Sequence, residues 1–216
     1  MLDVVSFGEA MAMFVAEETG ELHQVKRFML RLAGAETNVA VGLARLGLGV
    51  GWVSKVGNDP FGQYIRKSLT KENVDISKVV VDPDYPTGFQ LKSKVTSGDP
   101  EVVYFRKGSA ASRLEPADLS YSYFTSASHL HLTGIPPALS STMRAVSEHV
   151  LAVMREHGRT ISFDPNLRPS LWKSEAEMVG EINRLAIRAD WVLPGIAEGE
   201  ILTGYSKPRD IAAFYL

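Results

Sequence analysis

The chain has 216 residues, 45% of them hydrophobic, and its 23 Lys and Arg nearly balance 25 Asp and Glu, for a formal net charge of −2. A chain of this length buries roughly 70% of its unfolded surface; the balanced charge argues against a nucleic-acid partner, and no apolar run approaches the ~20 residues that span a bilayer. It has no cysteine, which excludes disulfides, thiolate nucleophiles and cysteine zinc sites and makes a reducing cytoplasm the expected setting.

Met1-Leu2-Asp3-Val4-Val5 has neither a basic n-region nor a long apolar h-region, so no signal peptide is expected. Val4 to Phe7 reads instead as a short buried strand closing at Gly8. Met11 to Leu32 reads as strand material without a helix. Ala33-Gly34-Ala35 opens a helix whose apolar stripe is Val39, Leu43 and Leu46, with Gly47 at the C-terminal stop. Its Glu36-Thr37-Asn38 step is expected to face whatever sits at that end. Gly51 to Val56 is the next strand. Asp59-Pro60 then gives an N-cap and a proline at the first helical position, starting a helix through Ile65 and Leu69. From Phe89 the pattern is a hairpin: Phe89 to Val95 alternates, Thr96 to Pro100 turns, and Val102 to Arg106 returns. His129 to Leu132 is a strand, Met143, Val146, Val150 and Val153 form a helical stripe, and Ile161 to Phe163 is another strand. Ser174 and Glu177 make a capping box for a helix carrying Met178, Ile182 and Leu185. Trp191 to Leu193 is a last strand, followed by a short helix stopping near Gly204 and another beginning near Pro208.

Strand and helix alternate, so an α/β fold with a parallel sheet and helices on its faces is expected. Such sheets bind ligands beyond the C-terminal ends of their strands, which points to the loops after Phe7, Val56, Leu132, Phe163 and Leu193. The segments at about 11–32 and 86–107 break the rhythm and are expected to form a small sheet projecting from the main one.

Four segments carry groups suited to chemistry. Gly34 lets a ligand approach the backbone, and the helix N-terminus behind it offers free N–H groups; a tight turn into a packed helix would use the same residues. Lys55-Val56-Gly57-Asn58-Asp59 holds a second such glycine. Tyr104 and Arg106, two apart on a strand, point to one face. There the ring can pack on the C–H surface of a sugar while the guanidinium grips a carboxylate; a solvated edge strand is the alternative. Asp164-Pro165-Asn166-Leu167-Arg168 follows a strand, where it can hold a phosphate, a metal-bound water or a substrate oxyanion, or simply form an Asx turn with a surface arginine. His129 and His131 share a strand face, but no third metal ligand is near, so core or edge positions are expected. There is no Gly-x4-Gly-Lys-Ser/Thr loop and no Gly-x-Gly-x-x-Gly. The first strand leads to a single glycine, Gly8, and then Glu9, which disfavours a nicotinamide dehydrogenase.

Ala33-Gly34-Ala35, Asn38, Ala40, Gly47 and Gly57 at these spacings resemble the N-terminal signature of the PfkB (ribokinase-like) carbohydrate kinases, and Asp164 to Arg168 resembles the same segment in many of them. Phe7-Gly8-Glu9, Tyr104-Phe105-Arg106 and Gly108 to Ser112 are similar to the 2-keto-3-deoxygluconate kinases within that family, and the resemblance covers essentially the whole chain. It implies a ribokinase-like three-layer α/β/α fold with a mostly parallel sheet and a small projecting β lid over the sugar site. It implies ATP-dependent phosphorylation of a sugar acid, 2-keto-3-deoxygluconate to its 6-phosphate, with Mg2+ bridging the phosphates. Gly34, Ala35, Asn38, Phe89, Tyr104, Arg106 and Arg168 are then substrate-binding; a tyrosine is familiar at the position of Phe89, so a hydroxyl is absent there. Asp164, Asn166, Arg168 and Glu198 fall on the phosphate and nucleotide side. Leu193 to Glu198 resembles an Asn-x-x-Glu segment that organises magnesium, with Gly195 in place of the asparagine and Glu198 acting on the metal indirectly.

Arg106 and Arg168 together argue for an acidic substrate. A fructokinase is the near alternative and a non-catalytic sugar-acid binder the distant one. The family's Gly-Ala-Gly-Asp segment, with the catalytic aspartate, does not occur in residues 1–216. The chain is therefore expected to be the N-terminal two-thirds of such a domain, with no catalytic residue of its own, the aspartate beyond Leu216, and little activity alone. The family's exposed lid edges imply a homodimer through the lid.

Overall fold

Val4, Val5, Ser6 and Phe7 are all buried and form β1 (Val4–Phe7), as a strand covered on both faces must be. A computed structural model describes residues 2–216. After β1 come β2 (Met11–Thr19), β3 (Phe28–Ala33), α1 (Ala35–Arg45), β4 (Val50–Gly57), α2 (Pro60–Lys71), β5 (Val79–Asp82), β6 (Phe89–Lys94) and β7 (Val102–Phe105). They are followed by α3 (Tyr121–Thr125), β8 (His129–Thr133), α4 (Pro136–Leu139), α5 (Ser141–Glu156), β9 (Thr160–Asp164), α6 (Glu175–Ala186), β10 (Trp191–Val192), α7 (Ile196–Thr203) and α8 (Pro208–Tyr215). None of these helices is long and apolar enough to cross a membrane.

The main sheet runs β10-β9-β8-β1-β4-β5, and every pairing in it is parallel. Val5, Phe7, Leu130, Leu132, Ile161 and Phe163 join a core with Met143, Val146 and Val150 of α5 and Met178, Ile182 and Leu185 of α6. Val50, Trp52 and Val56 join a second core with Ala40 of α1 and Ile65 and Leu69 of α2. Alternate residues of each strand point to opposite faces, so the two cores lie on opposite sides of the sheet. The result is the α/β/α sandwich expected. A second sheet, β3-β2-β6-β7, forms the lid. In it β2 runs antiparallel to β3 and parallel to β6, and β6 antiparallel to β7.

Most caps fall where the sequence puts them. Asp59 accepts a hydrogen bond from the Gly62 N–H at 2.8 Å, and Ser174 caps α6 through the Glu177 N–H. Three readings need correction. The stripe of α1 is not Val39, Leu43 and Leu46, because Leu46 is 79% exposed; the helix lies on the sheet through Glu36, Thr37 and Ala40, whose polar members hide the pattern. Strand β5 stands outside the expected elements, although Val79-Val80-Val81 is a run of three β-branched residues. It adds a parallel edge beside β4. Gly57 lies outside the cavity described below and is set by chain packing: a Cβ there would meet the Thr87 nitrogen and the Tyr85 carbonyl oxygen at 2.7 Å. The segment 85–87 is clamped in that space by the Thr87 N–H donating to Asp59 Oδ2 at 2.7 Å and the Gly57 N–H donating to Thr87 Oγ1 at 2.8 Å.

Candidate functional site

The lid meets the C-terminal end of the main sheet around a cavity of about 370 Å3, a size suited to a small metabolite. Three walls build it: the start of α1, the inner face of the lid, and the loop after β9.

The α1 wall begins at Gly34, whose φ of 148° and lack of side-chain room demand glycine; a Cβ would meet Thr37 Oγ1 at 2.5 Å and the Glu9 carbonyl oxygen at 2.8 Å. Ala35 and Asn38 also line the cavity. Of the polar step after Ala35, only Asn38 faces outward; Glu36 and Thr37 are fully buried. Glu36 sits over Gly8, accepts a hydrogen bond from Thr133 Oγ1, and leaves its Oε2 without a partner. Burial, helped by the nearby charge of Glu9, pushes its carboxyl from the ordinary 4.5 up to about 7, against the opposing effects of Thr133 and Arg106.

The lid wall follows strand parity. Gln90 of β6 lies between Met13 of β2 and Tyr104 of β7, and Lys92 lies opposite Val102. These side chains line the cavity. Phe89 is one residue out of phase. It stacks on Phe105 with ring centroids 4.5 Å apart and packs near Phe61 and Phe14 on the outer face. The lid residue at the cavity is therefore Gln90, not Phe89. The register, which pairs Gln90 with Tyr104, identifies it; alternation within each strand leaves that pairing to the turn. Gln90 is only 7% exposed, and among the described residues its amide makes no hydrogen bond.

Tyr104 and Arg106 do share a face, with the guanidinium carbon 5.6 Å from the ring centroid. Arg106 is not free, however. Its Nε donates to Glu9 Oε2 at 2.6 Å and its Nη2 lies 2.5 Å from the same oxygen, while Ser109 Oγ donates to Glu9 Oε1 at 2.5 Å.

At the third wall Asp164 accepts from the Asn166 N–H and from Asn166 Nδ2, both at 3.0 Å, forming an Asx-type turn. Asn166 adopts a φ of 40°, and its Oδ1 is buried without a partner. Asn166 and Arg168 both line the cavity, so this turn presents polar groups to a ligand as well as ending the strand. Asp164 lies behind it, its carboxyl pushed up by burial and by the charge of Glu198. Glu198 accepts from the Leu167 N–H at 2.8 Å and from the Gly195 N–H at 3.0 Å, joining the loops after β9 and β10. The two histidines bond to Thr160 and Ser162, and burial holds both below the usual imidazole range. They are structural in this arrangement, and the described residues contain no cluster of three or more His, Asp or Glu able to hold a metal.

Comparison with known proteins identifies the family that carries this architecture. The sequence profile of pfkB family carbohydrate kinases matches residues 1–214. The chain belongs to this family. The 2-dehydro-3-deoxygluconokinase of Bacillus subtilis (strain 168) is 59% identical over 216 residues, covering 100% of this chain and 67% of the relative. Probable fructokinase-2 of Arabidopsis thaliana is 32% identical over 214 residues, covering 99% of this chain and 65% of the relative. The crystal structure of a PfkB protein from Polaromonas sp. JS666 is similar with a TM-score of 0.97 and 52% identity, covering 100% of this chain and 73% of that one. The chain spans about two thirds of the length of these curated relatives.

The buried Glu36 makes stability depend on pH. Its native pKa is raised, so the folded state holds a proton that the unfolded state releases. The stability this gives is complete below about 4.5 and is lost as pH rises to about 7. The loss is roughly 3 kcal/mol, equivalent to about 6–12 °C in Tm for a chain of this size. The two histidines, held below their usual range by burial, act in the opposite sense over the same window, so the test is the difference between the parent chain and Glu36→Gln. Between pH 4.5 and 7.5 the thermal stability of the parent should fall by that amount relative to the variant; equal slopes would contradict a buried, proton-holding Glu36.

Proposed function

We propose that this chain forms the sugar-binding part of a kinase that uses ATP to phosphorylate 2-keto-3-deoxygluconate, also called 2-dehydro-3-deoxygluconate, on its primary hydroxyl. The observation that carries the choice of an acid is the charge of the cavity. Its lining includes three cations, Lys92, Arg106 and Arg168, and one acid, Glu9. A neutral sugar needs no such excess. The higher identity to the 2-dehydro-3-deoxygluconokinase than to the fructokinase supports the same choice.

In this reading Gly34, Ala35 and Asn38 admit the sugar close to the backbone. Gln90 and Tyr104 offer it polar contacts from the lid, while Arg168 faces its charge or the transferred phosphate. Asp164 and Asn166 shape the phosphate side. Bound Mg2+ would neutralise phosphate charge. Glu198 and Asp164, whose carboxylates feel one another, suit the water shell of such a hard cation. Phosphoryl transfer also needs a positioned base and an anion hole, and residues 1–216 contain no Gly-Ala-Gly-Asp segment. Strand β10 ends the main sheet, and Trp191, Leu193 and Ile196 stand exposed around it. That apolar edge supports a reading in which further chain packs there and brings the base, leaving these 216 residues without turnover. A homodimer through the lid edges β3 and β7 and a cytoplasmic setting belong to the same proposal.

Titration calorimetry with 2-keto-3-deoxygluconate and with fructose tests the reading. Saturable binding of the acid is expected, with Arg168→Ala weakening it roughly 10- to 150-fold through loss of a charge-assisted bond. A preference for fructose would move the assignment to a neutral-sugar kinase. Intact-mass analysis after incubation with ATP, Mg2+ and the acid should show no phosphorylated sugar. Robust conversion would contradict the placing of the base outside residues 1–216.

A further inference from the structure

Arg106 is the lid cation that the sequence singles out, yet its charge is already matched. Glu9 is the acid lining the cavity and makes two close contacts with the Arg106 guanidinium; side-chain exposure is 8% for the arginine and 0% for the glutamate. Ser109 holds the other glutamate oxygen. The three form a neutral unit within the wall.

Lys92 is placed differently. It lies on β6, an inner strand flanked by β2 and β7, so the usual reason for a lysine on a sheet, protection of an open edge, does not apply. Its parity puts it on the cavity face beside Gln90, and it is half-buried. Two residues on, Lys94 Nζ donates to the Glu17 carbonyl oxygen at 3.1 Å. Among the described residues Lys92 has no ion pair and no side-chain hydrogen bond. Across the cavity Arg168 also makes no ion pair among the described residues, donating only to the adjacent Leu167 carbonyl oxygen at 2.8 Å, although Asp164 behind it feels its charge. With the Glu9–Arg106 pair neutral, the cavity cations not held in an ion pair are Lys92 on the lid and Arg168 on the β9 loop.

We propose that Lys92 is the specificity-determining cation of the lid: it, and not Arg106, supplies the charge that selects an anionic sugar over a neutral one. The inference rests on the sugar-acid reading above and goes beyond it by naming the residue that sets the discrimination. A lysine suits this place because its charge sits on a flexible stem and can follow a carboxylate without the fixed fork of a guanidinium.

The test is calorimetric titration of the parent chain, Lys92→Met and Lys92→Arg with 2-keto-3-deoxygluconate and with fructose, with unfolding midpoints recorded for each. For Lys92→Met the acid affinity should fall roughly 10- to 150-fold, fructose affinity should stay within about twofold, and the midpoint should stay unchanged. Lys92→Arg should restore most of the acid affinity. Selective acid binding by the parent, undiminished in Lys92→Met, overturns the assignment and leaves the sugar-acid reading standing. Equal falls for acid and fructose overturn it too, since the residue would then shape the cavity and not its charge. A parent chain that fails to prefer the acid overturns the sugar-acid reading and the assignment together.

Discussion

The buried ion pair between Glu9 and Arg106 is the constraint on which the rest of this molecule depends. Glu9 lies just past the end of β1, the inner strand of the main sheet, and Arg106 just past the end of β7, the outer strand of the lid. The two are 97 residues apart in sequence and joined by hydrogen bonds in a nearly dry setting. A buried pair of this kind adds little net stability, but losing one partner strands a charge at a cost of about 3–5 kcal/mol. The pair therefore works as a register device. It lets the lid meet the sheet in one arrangement and penalises others.

Small residues make that arrangement fit. A Cβ on Gly88 would lie 2.8 Å from Glu9 Oε1, and one on Gly34 would lie 2.8 Å from the Glu9 carbonyl oxygen. A Cβ on Gly8 would lie 2.5 Å from the Glu36 carboxyl. Gly88 and Gly8 thus seat two carboxylates in the floor of the joint. The cavity is what remains above them, where the lid turns its polar face to the loop after β9. Its chemistry follows from which charges are matched in the wall and which are left to a ligand.

Much of this was legible in the chain. The apolar strands β1, β8 and β9 and the polar caps Asp59 and Ser174 are local signals, and each formed where the residues put it. The lid hairpin was legible from alternation alone, but the family resemblance points to Phe89, whereas the register sets Gln90 at the cavity and Phe89 against Phe105. Strand period 2 distinguishes Phe89 from Gln90; residue type does not. The partners of Glu9 and Glu36 were out of reach, because Arg106 and Thr133 are each 97 residues away and burial of a glutamate leaves no local trace. The same holds for α1, where a buried Glu-Thr pair broke the apolar stripe and displaced it onto the exposed Leu46.

Membership of the pfkB family fixes the architecture and the class of chemistry, whereas the substrate depends on a handful of side chains at the joint. The most direct measurement is a crystal structure of this chain with 2-keto-3-deoxygluconate bound. The account predicts the sugar between the lid face of Gln90, Lys92 and Tyr104 and the turn bearing Arg168, with its carboxylate toward Lys92 or Arg168 and the Glu9–Arg106 pair intact. A sugar bound elsewhere, or an Arg106 released from Glu9 to take the carboxylate, would contradict it.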